Sequence, residues 1–214
     1  MIARYLTLFI FTLGFAVSSS AQNILFDFNG GPQFTGTPVD QVSGGVRAHF
    51  TGTGNGYSIQ NTAQVIGTLP TGFSGLGLSP NSVFAADLGI SFFKQSDGTA
   101  QNINSFSILV APQELACDSS STMKVFAYKG ANLVGSAIAT ANLDTYTWPT
   151  ITLAFSSAQF FDNVIVHFQA APPTGGDWGP IFVADNVNIN AVPEPATVAT
   201  LLLGSLALMR RRRR

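Results

Sequence analysis

The chain has 214 residues, of which 46% are hydrophobic and 10% charged, and its formal net charge at neutral pH is −1. Its one cysteine, Cys117, excludes an internal disulfide, so the fold must rest on its core. The charge is unevenly spread: Arg4 and Arg210 to Arg214 lie at the ends, while residues 22–191 carry four basic against ten acidic side chains, a balance of −6. An acidic, lysine-poor body argues against nucleic acid and against docking on anionic lipid, and it suits cation binding and solubility outside the cell.

Residues 1–21 combine a positive charge at Arg4, an apolar run from Tyr5 to Val17 and a small-residue exit, Ser18-Ser19-Ser20-Ala21. This is the pattern of a cleavable secretory signal helix, with signal peptidase expected to cut between Ala21 and Gln22. No cysteine follows the apolar run, so lipid attachment there is not expected.

The body, residues 22–191, reads as β throughout. Short runs rich in Val, Ile, Phe and Thr are punctuated by Gly, Pro, Asn and Asp, and none has helical periodicity. Predicted strands are Ile24–Phe28, Val46–Thr51, Val83–Asp87, Gly89–Lys94, Ser105–Ala111, Met123–Tyr128, Leu133–Thr140, Thr150–Phe155, Val164–Gln169 and Phe182–Asn190. In Val164–Gln169 the residues Val164, Val166 and Phe168 share one face, as a half-buried antiparallel strand requires. Turn residues such as Lys129-Gly130-Ala131-Asn132 separate the runs. Eight to ten short strands predict an all-β chain with a single β-sandwich of jelly-roll type. Residues 30–77, full of Gly, Thr, Ser and Asn, are expected to form long loops at one end of it.

Candidate site residues are few. In Val183–Ile189, Asp185 has the parity of Val183, Val187 and Ile189, so a regular strand would turn its carboxylate to the core. A buried carboxylate needs hydrogen bonds or a cation. Calcium held by Asp185, with Asp27 or backbone carbonyls as further ligands, is one solution; a strand starting one residue later, or a bulge, with Asp185 capping a nearby turn through backbone N–H groups, is the other. Asp177 and Trp178, in a loop of Pro and Gly, could receive a sugar ring, or the indole could fold back over the end of the sandwich. Trp148 fits the core at the start of a strand. His49 and His167 match no metal-ligand spacing, and His167 lies on the polar face of its strand. No nucleophile elbow, His-Glu-x-x-His or phosphate loop occurs, so catalysis by a glycoside hydrolase or other hydrolase has no motif behind it.

Residues 192–214 have three parts: Val192-Pro193-Glu194-Pro195, an uncharged segment from Ala196 to Met209, and the arginines Arg210, Arg211, Arg212, Arg213 and Arg214. As a short C-terminal hydrophobic helix the middle part would span roughly 21 Å at 1.5 Å per residue, less than a hydrocarbon core of about 30 Å. The arginines would stop translocation and hold the C-terminus on the cytoplasmic side. This composite resembles the PEP-CTERM sorting signal. The resemblance implies export by a Gram-negative bacterium, a precursor tethered at the inner membrane, processing by an exosortase, and delivery to the cell surface or an exopolysaccharide matrix. More loosely, Ile24 to Gly30, Met123 to Ala137 and Phe182 to Ile189 resemble, in their order, galactose-binding-like and carbohydrate-binding jelly rolls. The expected function is therefore a non-catalytic structural protein of the envelope or matrix, with a carbohydrate-binding module as the alternative.

Overall fold

The computed structural model describes residues 21–82, 86–113, 121–141, 148–169 and 181–192. Two antiparallel sheets of six strands each make up the molecule. The first contains β1 (Gln22–Phe26), β4 (Tyr57–Asn61), β5 (Leu76–Pro80), β7 (Ile103–Gln113), β10 (Ile151–Phe161) and β12 (Ile181–Ala191). The second has the order β2 (Val39–Ser43), β3 (Val46–Gly52), β6 (Leu88–Lys94), β11 (Asn163–Gln169), β8 (Ser121–Lys129) and β9 (Asn132–Ala141).

The pairing of the last eight strands is nested: β8 with β9, β7 with β10, β6 with β11, and β5 with β12. That order results when one long hairpin rolls up into two facing sheets, which is a jelly roll. The two-residue turn Gly130-Ala131 joins β8 to β9 at the tip of this hairpin, with Gly130 at φ 58°. Only a residue without a Cβ takes that conformation at little cost.

Alternation decides which faces meet. Val164, Val166 and Phe168 of β11 are buried between the sheets, as are Leu88, Ile90 and Phe92 of β6. Aromatic contacts cross from sheet to sheet, Phe26 to Phe92 and Phe92 to Phe106, each with ring centroids 6.4 Å apart, and Phe28, just after β1, meets Phe50 of β3 at 5.1 Å. Rings buried in such pairs contribute about 0.5–1.5 kcal/mol beyond their area. The turn between β10 and β11 is pinned by Asp162, whose carboxylate accepts hydrogen bonds from Lys129 Nζ (2.8 Å), Gly130 N (2.9 Å) and Asn163 Nδ2 (2.8 Å). Burial opposes that charge, yet these three donors hold the carboxyl below its usual range.

The region expected to be long loops is instead partly ordered into β2, β4, β5 and a single helical turn, α1 (Thr62–Ile66). Those strands are five residues each, and β5 reads Leu-Gly-Leu-Ser-Pro, too short and too rich in breakers to stand out as a period. Asn61 caps α1 by accepting from Gln64 N, and Gly67 ends it in the left-handed region. In the predicted strand Val83–Asp87, the described residues Ala86 and Asp87 precede β6 without joining a sheet. The expected signal helix and hydrophobic C-terminal helix fall outside the described residues. Among those described, no helix is long and apolar enough to cross a membrane.

Candidate functional site

The decisive local feature is a bulge in β12. Asp185 pairs with Leu109 and Asn188 with Ser107, three residues on one strand against two on its neighbour. Asn186, at φ 51°, absorbs the extra residue. The bulge reverses the phase of the strand: Phe182 and Ala184 belong to the main core before it, Val187 and Ile189 after it. Val183 and Asp185 therefore lie on the outer side, where Val183 packs with Phe73 and Ala111 in a small second cluster. A regular strand would have sent Asp185 inward; the bulge corrects that reading.

Asp185 is nonetheless fully buried, because the loop through Ser74 covers it. Its Oδ2 accepts from Ser74 N (2.8 Å) and Ser74 Oγ (3.1 Å), and its Oδ1 from Asn186 N (2.7 Å). Asn186 Nδ2 donates to Gly72 O (2.8 Å), so both sides of the bulge hold the same loop. Gly72 and Gly75 turn that loop at φ 86° and 115°. Burial pushes the Asp185 carboxyl up to about 6 against the pull of these donors, with Asp27 nearby adding a charge of the same sign. Both oxygens are thus engaged in capping a turn. Asp27 accepts from Asn29 N at 3.2 Å, and among the described residues no three His, Cys, Asp or Glu side chains gather. Calcium takes six to eight oxygens. Adding it is expected to leave the melting temperature unchanged; a rise that Asp185→Asn abolishes would overturn this and implicate Asp185 as a ligand.

Beyond the bulge the outer face of the first sheet becomes a groove. Cross-strand rows set Asn23, Asn190, Ser105 and Ser156 side by side, then Leu25, Asn188, Ser107 and Ala154, then Leu109 and Thr152. Two adjoining depressions, about 390 and 350 Å³, share Ser107 and Asn188 and cross β1, β12, β7 and β10. From Ser105 to Leu109 the groove runs about 14 Å at 3.4 Å per residue. No charged side chain lines it, and its polar groups are amides and hydroxyls, which both donate and accept. Asn186 stands at the end where the loop held by Asp185 begins.

The opposite face, on the second sheet, carries charge. Asp40 accepts from Arg47 Nη1 (3.0 Å) and meets His49 Nδ1 (2.6 Å), and Arg47 lies 4.6 Å above the Phe93 ring. Burial opposes the Asp40 charge, but the bonds from His49 and Arg47 hold its pKa below the ordinary value. Lys124 sits 4.6 Å above Phe126, which also touches His167, and His167 Nδ1 meets Asp87 at 2.7 Å. His167 is on the polar face as expected, but paired. Asp40, His49 and Ser91 stand in one row across β2, β3 and β6. These are the residue types of a hydrolytic triad. β3 and β6 each have partners on both sides, so their own N–H groups are spent in the ladder.

Of the residues singled out from the sequence, Trp148 is half-buried and joins the cluster of Phe73, Ala111 and Val183 outside the main core. Gln22 opens β1 and pairs with Ala191. Asp177, Trp178, Cys117, Pro193 to Pro195 and the arginines lie outside the described residues. The groove residues were not among the candidates. Their signal, polar residues at every second position in Ser105–Ser107 and Asn186–Asn190, is present in the chain.

No family model and no curated protein matches the chain. Solved structures do resemble it. The K1 cleaved adhesin domain of Lys-gingipain from Porphyromonas gingivalis W83 is 14% identical with a TM-score of 0.42, over 80% of this chain and 99% of that one. The CBM22-1 xylan-binding domain of Xyn10C from Paenibacillus barcinonensis is 12% identical with a TM-score of 0.41, over 83% and 99%. CBM29_1, a family 29 carbohydrate-binding module from Piromyces equi, is 11% identical with a TM-score of 0.37, over 80% and 91%. At such identities and scores no ligand is carried over to this chain from any of them.

Proposed function

We propose that the protein is an exported, non-catalytic jelly roll that binds neutral polysaccharide through the groove of its first sheet. The observation that carries this reading is the groove itself: about 14 Å of outward amides and hydroxyls interspersed with Leu25, Ala154 and Leu109 and with no charge among them, on a body whose overall balance is acidic. Uncharged sugar hydroxyls can exchange their water for such groups at little desolvation cost, whereas a charged ligand would find no counter-charge there. No aromatic ring stands in the three rows, so hydrogen bonds carry the contact. Affinity should be modest and nearly independent of salt.

Affinity electrophoresis through gels containing xylan, β-glucan or galactomannan tests this. Retardation is expected, and Ser107→Arg, at the centre of the groove, is expected to weaken it at least about tenfold, the equivalent of 1.4 kcal/mol. Protein that is never retarded, or a Ser107→Arg variant that binds as before, would overturn the reading.

Delivery is proposed on the sequence of the two ends. Signal peptidase would release the body at Gln22, and an exosortase would process Val192-Pro193-Glu194-Pro195, leaving the domain at the surface or in the matrix. In a bacterium that has an exosortase, the full chain should appear as an inner-membrane precursor and as a secreted form starting at Gln22 without the arginines. A chain ending at Val192 should show no membrane precursor. Full-length protein free in the cytoplasm would refute this route.

A further inference from the structure

Gly89 is the second residue of β6, paired on both sides by β3 and β11, where glycine weakens a strand. Neither of the usual reasons for it applies. The pairing runs unbroken through Thr51–Gly89 and Gly89–Ile165, so there is no bulge, and its φ is not in the left-handed region. What remains is the close approach of the Thr51 side chain. A Cβ at this position would lie 2.5 Å from Thr51 Oγ1. Thr51 takes that space, its Oγ1 donating to Gly89 O (3.3 Å), and both residues line a depression of about 250 Å³ on the outer face of the second sheet, on the other side of the sandwich from the groove.

The lining of this depression differs from that of the groove. Thr51, Thr53 and Ser91 bring hydroxyls, Asn163 an amide, Asp87 a carboxylate and Ile165 an apolar wall. Asp87 is held by His167 (2.7 Å) and by its backbone N–H to Thr53 Oγ1 (2.7 Å). The Asn163 amide is fixed by bonds to Gly130 O (3.0 Å) and Asp162 Oδ1 (2.8 Å). Phe126 continues the row beyond Ile165. An oriented carboxylate accepts from two neighbouring hydroxyls, a fixed amide and serine or threonine hydroxyls satisfy others, and the apolar wall takes the C–H face of a ring.

We infer that the depression over Gly89 binds a single hexopyranose residue, at a chain end or on a branch. The site itself stands apart from the groove, but one consequence rests on the groove reading above: a domain with sugar sites on opposite sheets bridges two polysaccharide chains. Such bridging would combine binding with a structural role in a matrix.

The test is a titration of the ¹⁵N-labelled protein with glucose, galactose, mannose and N-acetylglucosamine in turn, read by amide shifts. Saturable shifts at Thr51, Gly89 and Ser91 are expected for at least one sugar. Gly89→Ala, whose Cβ must push the Thr51 hydroxyl out of its place in the lining, should weaken them at least about tenfold. Asp87→Asn, which keeps the shape and removes the charge, should weaken them too. Shifts absent from these amides with all four sugars, or unchanged in both variants, would overturn the inference. Oligosaccharide-induced shifts at Ser107 and Asn188 report on the groove in the same spectra, so either site can fail without the other.

Discussion

Replacing Asp185 with alanine is expected to destabilise the fold by about 2–4 kcal/mol at pH 5, measured by urea unfolding. The substitution leaves Ser74 N and Asn186 N without their acceptor in a place where Asp185 has no exposed surface. A buried donor stripped of its partner costs about 1–3 kcal/mol, and there are two of them here. The loss should shrink as pH rises, because alanine also removes a buried charge that stands near Asp27. A loss below about 0.5 kcal/mol at pH 5 would mean that water replaces the carboxylate and that the loop is not held by it.

The same carboxylate ties stability to binding. The loop it anchors packs Phe73 onto Val183, and Asn186 ends the groove beside it. Releasing Ser74 therefore frees the wall against which a bound chain would stop. A weakened Asp185 variant should lose groove affinity through this wall, whereas Ser107→Arg acts on the groove directly and leaves the loop untouched.

How much of this was legible in the sequence depends on how local the cause is. The alternation of Val164, Val166 and Phe168 fixed the faces of β11, and the Gly130-Ala131 turn marked the tip of the rolled hairpin. Both are patterns of a few consecutive residues. The phase of β12 was not legible in this way, since it turns on one residue, Asn186, whose positive φ is held by a bond to Gly72 O from far along the chain. Asp185 was recognisable as a carboxylate in need of partners, but which way it faced depended on that bulge. β5 escaped notice because it pairs with β12 only at Leu78–Ala184 and gains its order from β4 and that contact. The groove was the least visible feature. Asn188 and Ser107 each show polar parity in their own strand, but their adjacency comes from pairing over some eighty residues.

Stability should also rise as pH falls from about 7 to about 4, the reverse of what an acid-sensitive domain shows. The carboxyl of Asp185 titrates near 6 in the folded protein and at its ordinary value of 3.8 when unfolded. Between those values the folded state binds more protons, so stability falls as pH rises through that window. At 1.36 kcal/mol per pKa unit the full effect is about 3 kcal/mol, with most of it developed by neutral pH. Asp40 and Asp162 act in the opposite sense: their lowered values contribute stability present above 3.8 and lost as pH falls further. The two trends place the stability maximum near pH 4–5, on the acid side of the usual range. Urea unfolding across that range checks the shape, and Asp185→Asn, which cannot ionise, isolates its origin. In that variant the decline between about pH 4 and 7 should vanish while the loss at lower pH persists. A decline of equal size in both proteins would assign it to another group and leave the Asp185 carboxylate ionised throughout.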